Sequence, residues 1–232
     1  MTVVLVHGAF ADSSSWNGVV DRLQAQGQTV IAAANPLRSL TGDAAYIASV
    51  LSGIEGPIVL VGHSYGGSVI TVAAEGNSNV QALVYIAAFI PEIGESALEL
   101  SGKFPGSTLG PTTRPGSYPL ADGSAGTELY IQQELFHKQF AADVPADAAR
   151  RMAATQRPVA VAALAEAATA AAWKSIPSYA LLATEDYNIP IEAHRFMADR
   201  AGATTVEVAA SHAVAVAQPQ AVADLILQAT QR

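Results

Sequence analysis

Residues 58–67 read Ile58-Val59-Leu60-Val61-Gly62-His63-Ser64-Tyr65-Gly66-Gly67. Four leucine or β-branched residues in a row suit a strand buried on both faces, and residues 68–74 suit a helix. The G-x-S-x-G pattern between them is weak alone. A strand before it and a helix after it make it informative, because that is the setting of a sharp turn that presents a serine. The requirement is steric: the side chains flanking such a turn must be small, and Gly62, Gly66 and Gly67 supply the room. The turn would hold the serine oxygen at the carboxyl end of the strands, where open α/β sheets bind ligands. The helix N-terminus behind it favours developing negative charge.

The same alternation extends outward. Apolar runs at 3–6, 29–31, 58–61, 82–89, 179–183 and 204–208 read as strands, and patterns at 15–26, 41–52, 65–75, 191–200 and 219–231 read as helices. This alternation predicts an α/β fold, a mostly parallel sheet with right-handed crossovers and helices on both faces. Residues 91–173 break the pattern and show no convincing strand. Within them, 101–126 holds Pro105, Pro111, Pro115 and Pro119 with several glycines and reads as loop. Residues 127–142, 145–156 and 158–172 read as helices, with Pro145 and Pro158 in first-turn positions where proline is tolerated. The strand pattern then resumes. The expected organisation is a core of residues 1–90 and 174–232 with a helical cap, 91–173, inserted between two strands.

Composition narrows the function classes. The chain has 232 residues, half of them hydrophobic and 14% charged, enough for one large core and too apolar for disorder. A net charge of −8 argues against nucleic acid as a partner. The absence of cysteine excludes disulfides, thiolate metal sites and a cysteine nucleophile. Alanine makes up roughly a fifth of the chain, above its usual share, which favours helix. No apolar run approaches the ~18 residues of a spanning helix, and Met1-Thr2 leads into Val3 without a basic segment. The expectation is a cytoplasmic protein with no membrane partner.

A serine hydroxyl needs a base, usually histidine. His212 follows the last strand, in a loop that returns to the carboxyl end of the sheet. His7 reads as a loop-shaping residue, and His63, beside Ser64, is expected to point away from it. His137 and His194 read as solvated or structural. The acid is expected after a strand and between serine and histidine in chain order. Glu185 and Asp186 both qualify, with Asp186 favoured and Glu185 its solvated neighbour. Two backbone N–H groups must face the developing oxyanion. Tyr65, after the nucleophile, supplies one, and Ala9 in the first loop the other, with Phe10 the near alternative. Pocket candidates are Phe10, Tyr65, Phe89, Tyr130, Phe136 and Trp173. No basic cluster accompanies them, so a small, mostly apolar ester fits better than a polyanion.

These motifs together resemble the α/β-hydrolase superfamily: H-G-A-F-A-D-S-S-S-W at 7–16, G-H-S-Y-G-G at 62–67, T-E-D-Y-N-I-P at 184–190 and S-H at 211–212. Within it the chain is most similar to the small esterases related to plant methylesterases and hydroxynitrile lyases. His7-Gly8-Ala9, the T-E-D-x-x-I-P segment and the compact cap carry that closer likeness. The resemblance implies a triad of Ser64, His212 and Asp186 beneath the cap. That fold usually begins with an antiparallel hairpin, which has no counterpart before the first strand here. The lyases carry a lysine after the triad histidine and a threonine after the first motif histidine. This chain has Ala213 and Gly8 there, and without the lysine a cyanide leaving group is not held. The expected reaction is hydrolysis of a small carboxylic ester through an acyl-enzyme, with no metal or organic cofactor. Two alternatives stand beside it: perhydrolysis or lyase chemistry on the same triad, and a receptor-like role with slow turnover. None of these motifs specifies an oligomeric state.

Overall fold

The computed structural model describes residues 1–231. The first half of the core runs β1 (Thr2–Val6), α1 (Asn17–Ala25), β2 (Thr29–Ala33), α2 (Leu40–Ser52), β3 (Ile58–His63), α3 (Tyr65–Ala73) and β4 (Val80–Ile86). An insertion follows, with α4 (Ala97–Gly102), α5 (Leu109–Thr112), β5 (Thr113–Pro119), β6 (Ala125–Ile131), α6 (Gln133–Phe140), α7 (Ala146–Thr155), β7 (Val159–Ala160) and α8 (Val161–Ala165). The core resumes with β8 (Ser178–Ala183), α9 (Ile191–Arg200), β9 (Thr204–Val208), α10 (Val214–Ala217) and α11 (Pro219–Thr230).

The six core strands form one parallel sheet in the order β2-β1-β3-β4-β8-β9. Both neighbours of β1 run parallel to it, so the sheet has no leading antiparallel hairpin among the described residues. Alternate strand residues enter two apolar layers, as a period of two requires. Val4, Val6, Leu60 and Tyr85 pack with α2, α3 and α9, whereas Val3, Leu5, Val59 and Val84 pack with α1 and α11. Every residue of β3 is buried, which explains why the central strands read as uninterrupted apolar runs.

The insertion lies between β4 and β8, where the strand pattern lapses, but it is not purely helical. Residues 113–119 and 125–131, expected as loop and helix start, form an antiparallel hairpin that pairs onward with β7. Pro115 and Pro119 sit on β5, the edge of this small sheet, where a missing N–H costs no ladder bond. Asp122 turns the tip by accepting from the Ser124 N–H and hydroxyl. The sequence 127–131 therefore extends rather than coils, and helix begins only at Gln133. The expected helix over 158–172 shortens to Val161–Ala165.

Polar contacts fasten the stem of the insertion to the core. Arg200 on α9 donates to both Glu95 oxygens, at 2.8 and 2.7 Å, and to the Ile90 carbonyl at 2.9 Å. Trp173 Nε1 donates to the Pro91 carbonyl, and Lys174 pairs with Glu92.

Candidate active site

Ser64 stands between β3 and α3 with φ 53° and ψ −123°. A non-glycine residue at positive φ stores strain of about 1–3 kcal/mol. Close backbone approach fixes the turn. A Cβ on Gly66 would lie 2.5 Å from the Val6 carbonyl oxygen, and one on Gly67 would overlap the Phe89 carbonyl oxygen. The Ser64 carbonyl accepts from Gly67 N–H at 2.9 Å and Phe89 N–H at 3.1 Å.

His212 and Asp186 meet at this end of the sheet. His212 Nδ1 lies 2.6 Å from Asp186 Oδ2. Since a carboxylate only accepts, the Nδ1 proton donates and the lone pair is left on Nε2. That Nε2 is buried and has no partner among the described residues. Asp186 Oδ1 accepts from the Asn188 and Ile189 N–H groups at 2.7 and 3.0 Å. Burial by itself would raise the Asp186 carboxyl. Attraction to the His212 ring in its protonated form, together with the hydrogen bonds from His194 and His212, outweighs it and holds the group well below the usual carboxylate range. Glu185 is exposed.

His194 is the main residue that sequence reasoning missed. Read from sequence as solvated or structural, it is 1% exposed, and its Nε2 lies 3.2 Å from Asp186 Oδ2. Two imidazoles thus share one carboxylate oxygen. A signal was available: His194 lies on the same helical stripe as the buried Met197 and Ala198, at i, i+3 and i+4.

His7 and His63 also pack beneath the site as neutral rings. His63 Nε2 donates to the His212 carbonyl at 2.9 Å, and the two rings are 4.8 Å apart. Burial lowers His63 to about 3, with the neighbouring His212 adding to the effect. His7 donates from Nδ1 to the Gly8 carbonyl, and its Nε2 accepts from Asn35 N–H at 3.0 Å. Burial lowers it to about 4. His137 is bound to the Val144 carbonyl, away from the site.

The insertion holds the His212 loop. Ala213 N–H donates to the Phe140 carbonyl at 2.9 Å, and Ser211 N–H donates to Asp143 Oδ2 at 3.0 Å. The Ser211 hydroxyl makes a short bond to Asp143 Oδ1. The Phe140 ring meets His212 edge-on at 5.0 Å.

The backbone donors separate cleanly. Phe10 N–H is committed to the Arg157 carbonyl at 3.1 Å. Among the described residues the N–H groups of Ala9 and Tyr65 have no acceptor. The Tyr65 hydroxyl is anchored on buried Asp43 at 2.9 Å, whose carboxyl burial raises.

Ser64 opens into a cavity of about 180 Å³. Phe10, Tyr65 and Phe89 border it, together with Leu109, Leu129 and Leu164 of the insertion. Tyr130, Phe136 and Trp173 do not. Tyr130 bonds Glu128 beside Arg114, Phe136 stacks on Phe140, and Trp173 packs at the stem near Arg200. An aromatic residue near the right place in sequence is more often a packing element than a wall of a site.

A sequence model of a family described as "Alpha/beta hydrolase family" matches residues 3–225. A carbendazim hydrolyzing esterase of Nocardioides sp. (strain SG-4G) is 34% identical over 116 residues, 43% of this chain and 47% of that protein. The match thus spans about half the length of that relative. Among solved structures, polyneuridine aldehyde esterase superposes with a TM-score of 0.86 at 19% identity over 99% of both chains. The pyrethroid hydrolase of Sphingobium faniae JZ-2 superposes with a TM-score of 0.79 at 21% identity, over 100% of this chain and 98% of that one. Both are likenesses of fold.

Proposed function

The chain belongs to the alpha/beta hydrolase family, and on that footing we propose that it hydrolyses small, mostly apolar carboxylic esters through an acyl-enzyme on Ser64. The observation that carries this reading is the unpartnered Nε2 of His212, left as a lone pair because Nδ1 is tied to Asp186. His212 takes the Ser64 proton as Ser64 attacks the ester carbonyl carbon. The Ala9 and Tyr65 N–H groups, free of other acceptors, receive the oxyanion. His212 then protonates the leaving alcohol, and water repeats the cycle to release the acid. Asp186 stays ionised throughout, holding the imidazole tautomer and stabilising the imidazolium. The insertion acts as the cap over this centre.

A cavity of about 180 Å³ is smaller than the roughly 300–1,000 Å³ of drug-sized sites, which supports a short acyl or alcohol group. The esterase named for the sequence relative is in keeping with the same chemistry. Ser64→Ala should lower turnover of p-nitrophenyl butanoate by about a thousandfold or more. Retained turnover would sink the assignment.

A further inference from the structure

Asn188 follows the acid loop and borders the cavity. It is 3% exposed, so each polar atom of its amide needs a partner. The orientation of that amide follows from its neighbours. Gln139, on α6 of the insertion, has its Nε2 2.9 Å from the Tyr187 carbonyl, which can only accept. The Thr108 hydroxyl donates to Gln139 Oε1 at 2.8 Å. The same Gln139 Nε2 lies 2.8 Å from Asn188 and donates there too, so the Asn188 atom facing it is the oxygen Oδ1. The Asn188 nitrogen, Nδ2, faces the other way. Among the described residues Nδ2 has no acceptor, and unlike His212 Nε2 it is not sealed from solvent.

Resting on the esterase reading above, we propose that Asn188 determines specificity by donating from Nδ2 to a second, neutral oxygen on the substrate, remote from the scissile carbonyl. The preferred substrates are then small esters that carry an ether, alkoxy or keto oxygen. Neutrality follows from the walls: no lysine or arginine borders the cavity to pair with an anionic group. Ser101, Ser107 and Thr113 also border it, but hydroxyls rotate and can donate or accept. The Asn188 amide is locked, so it discriminates between an oxygen and a methylene at one place. A site built to hydrogen-bond its substrate rejects the analogue lacking that atom.

The test uses p-nitrophenyl ester pairs in which one acyl methylene is replaced by ether oxygen: butanoyl and methoxyacetyl, pentanoyl and 3-methoxypropanoyl, hexanoyl and 4-methoxybutanoyl. The quantity read is the ether-to-methylene ratio of kcat/KM in the wild type divided by the same ratio in Asn188→Ala. This quotient cancels intrinsic reactivity, and all variants keep the Asn188 backbone N–H that serves Asp186. At one ether position the quotient should be about fivefold or more, the worth of one hydrogen bond. The nearly isosteric Asn188→Asp keeps an oxygen toward Gln139 and presents an acceptor to the substrate, so it should lower the ether preference at the same position. A merely structural asparagine would slow both members of each pair alike. Quotients near one at every position, in both variants, would overturn the inference and leave the esterase reading standing. Absence of Ser64-dependent hydrolysis of any member would overturn both.

Discussion

The two sides of Ser64 are built by opposite rules. Behind it most polar groups are dry and matched, His212 Nε2 and Asn35 Oδ1 being exceptions: Asp186 accepts from two backbone amides and two imidazoles, and His7 and His63 are each held in one neutral tautomer. In front of it the cavity is walled mainly by phenylalanine, leucine and alanine, with few polar atoms. In a low-dielectric setting an unmatched polar group is costly and a matched one is rigid. On the proposed function, the rear then governs whether the reaction occurs, and the front governs which ester enters. Changes behind Ser64 should scale all substrates together, whereas changes in front should alter ratios.

The largest test of that division is Asp186→Asn. It should lower kcat by about ten-thousandfold for every ester, the scale seen when a triad carboxylate becomes an amide. A loss confined to some esters on a substrate panel would break the contrast.

Acid should destabilise the rear next. His7 and His63 are held at about 4 and 3 against 6.5 when unfolded, so below pH 6.5 the unfolded chain binds protons that the folded chain does not. Stability then falls with pH by about 1.4 kcal/mol per unit for each ring. The fall ends near pH 4 for His7 and near pH 3 for His63. Asp186, lowered from 3.8, adds a loss in the same direction only below that value. Thermal melts should be level in this respect above pH 6.5 and decline from 6.5 to 4.5. A Tm unchanged over that interval would contradict the dry, neutral packing.

Smaller effects sharpen the picture. His194→Ala should reduce kcat about tenfold with little change in KM, and His194→Gln, which can still donate to Asp186, should recover most of it. Failure of glutamine to rescue would mean that the ring packs rather than donates. Asp143→Ala frees Ser211 from the insertion and should cost several-fold in kcat on all esters, measured on the same panel. Leu164→Ala, in front, should change the hexanoyl-to-acetyl ratio by about threefold. An equal effect on both esters would erase the distinction between the two sides.

Much of the core was legible because its signals are local. A buried parallel strand writes itself as an apolar run, and the serine turn writes itself as small residues around Ser64. The loops bearing Asp186 and His212 were found because they follow strands. The hairpin at 113–131 was missed because prolines and glycines count as loop signals unless the strand is known to be an edge. Tyr130, Phe136 and Trp173 were placed at the pocket on residue type alone, which does not say which way a side chain faces.

The sequence by itself determined the order of the core strands and helices and the serine at the turn, since backbone sterics and periodicity act over a few residues. Only the tertiary structure decided which polar groups meet. The Arg157 carbonyl occupies Phe10 N–H and leaves that of Ala9 free, His63 reaches the His212 carbonyl across 149 positions, and Gln139 turns the Asn188 amide. Such partners are set by packing between distant segments, and no local pattern encodes them.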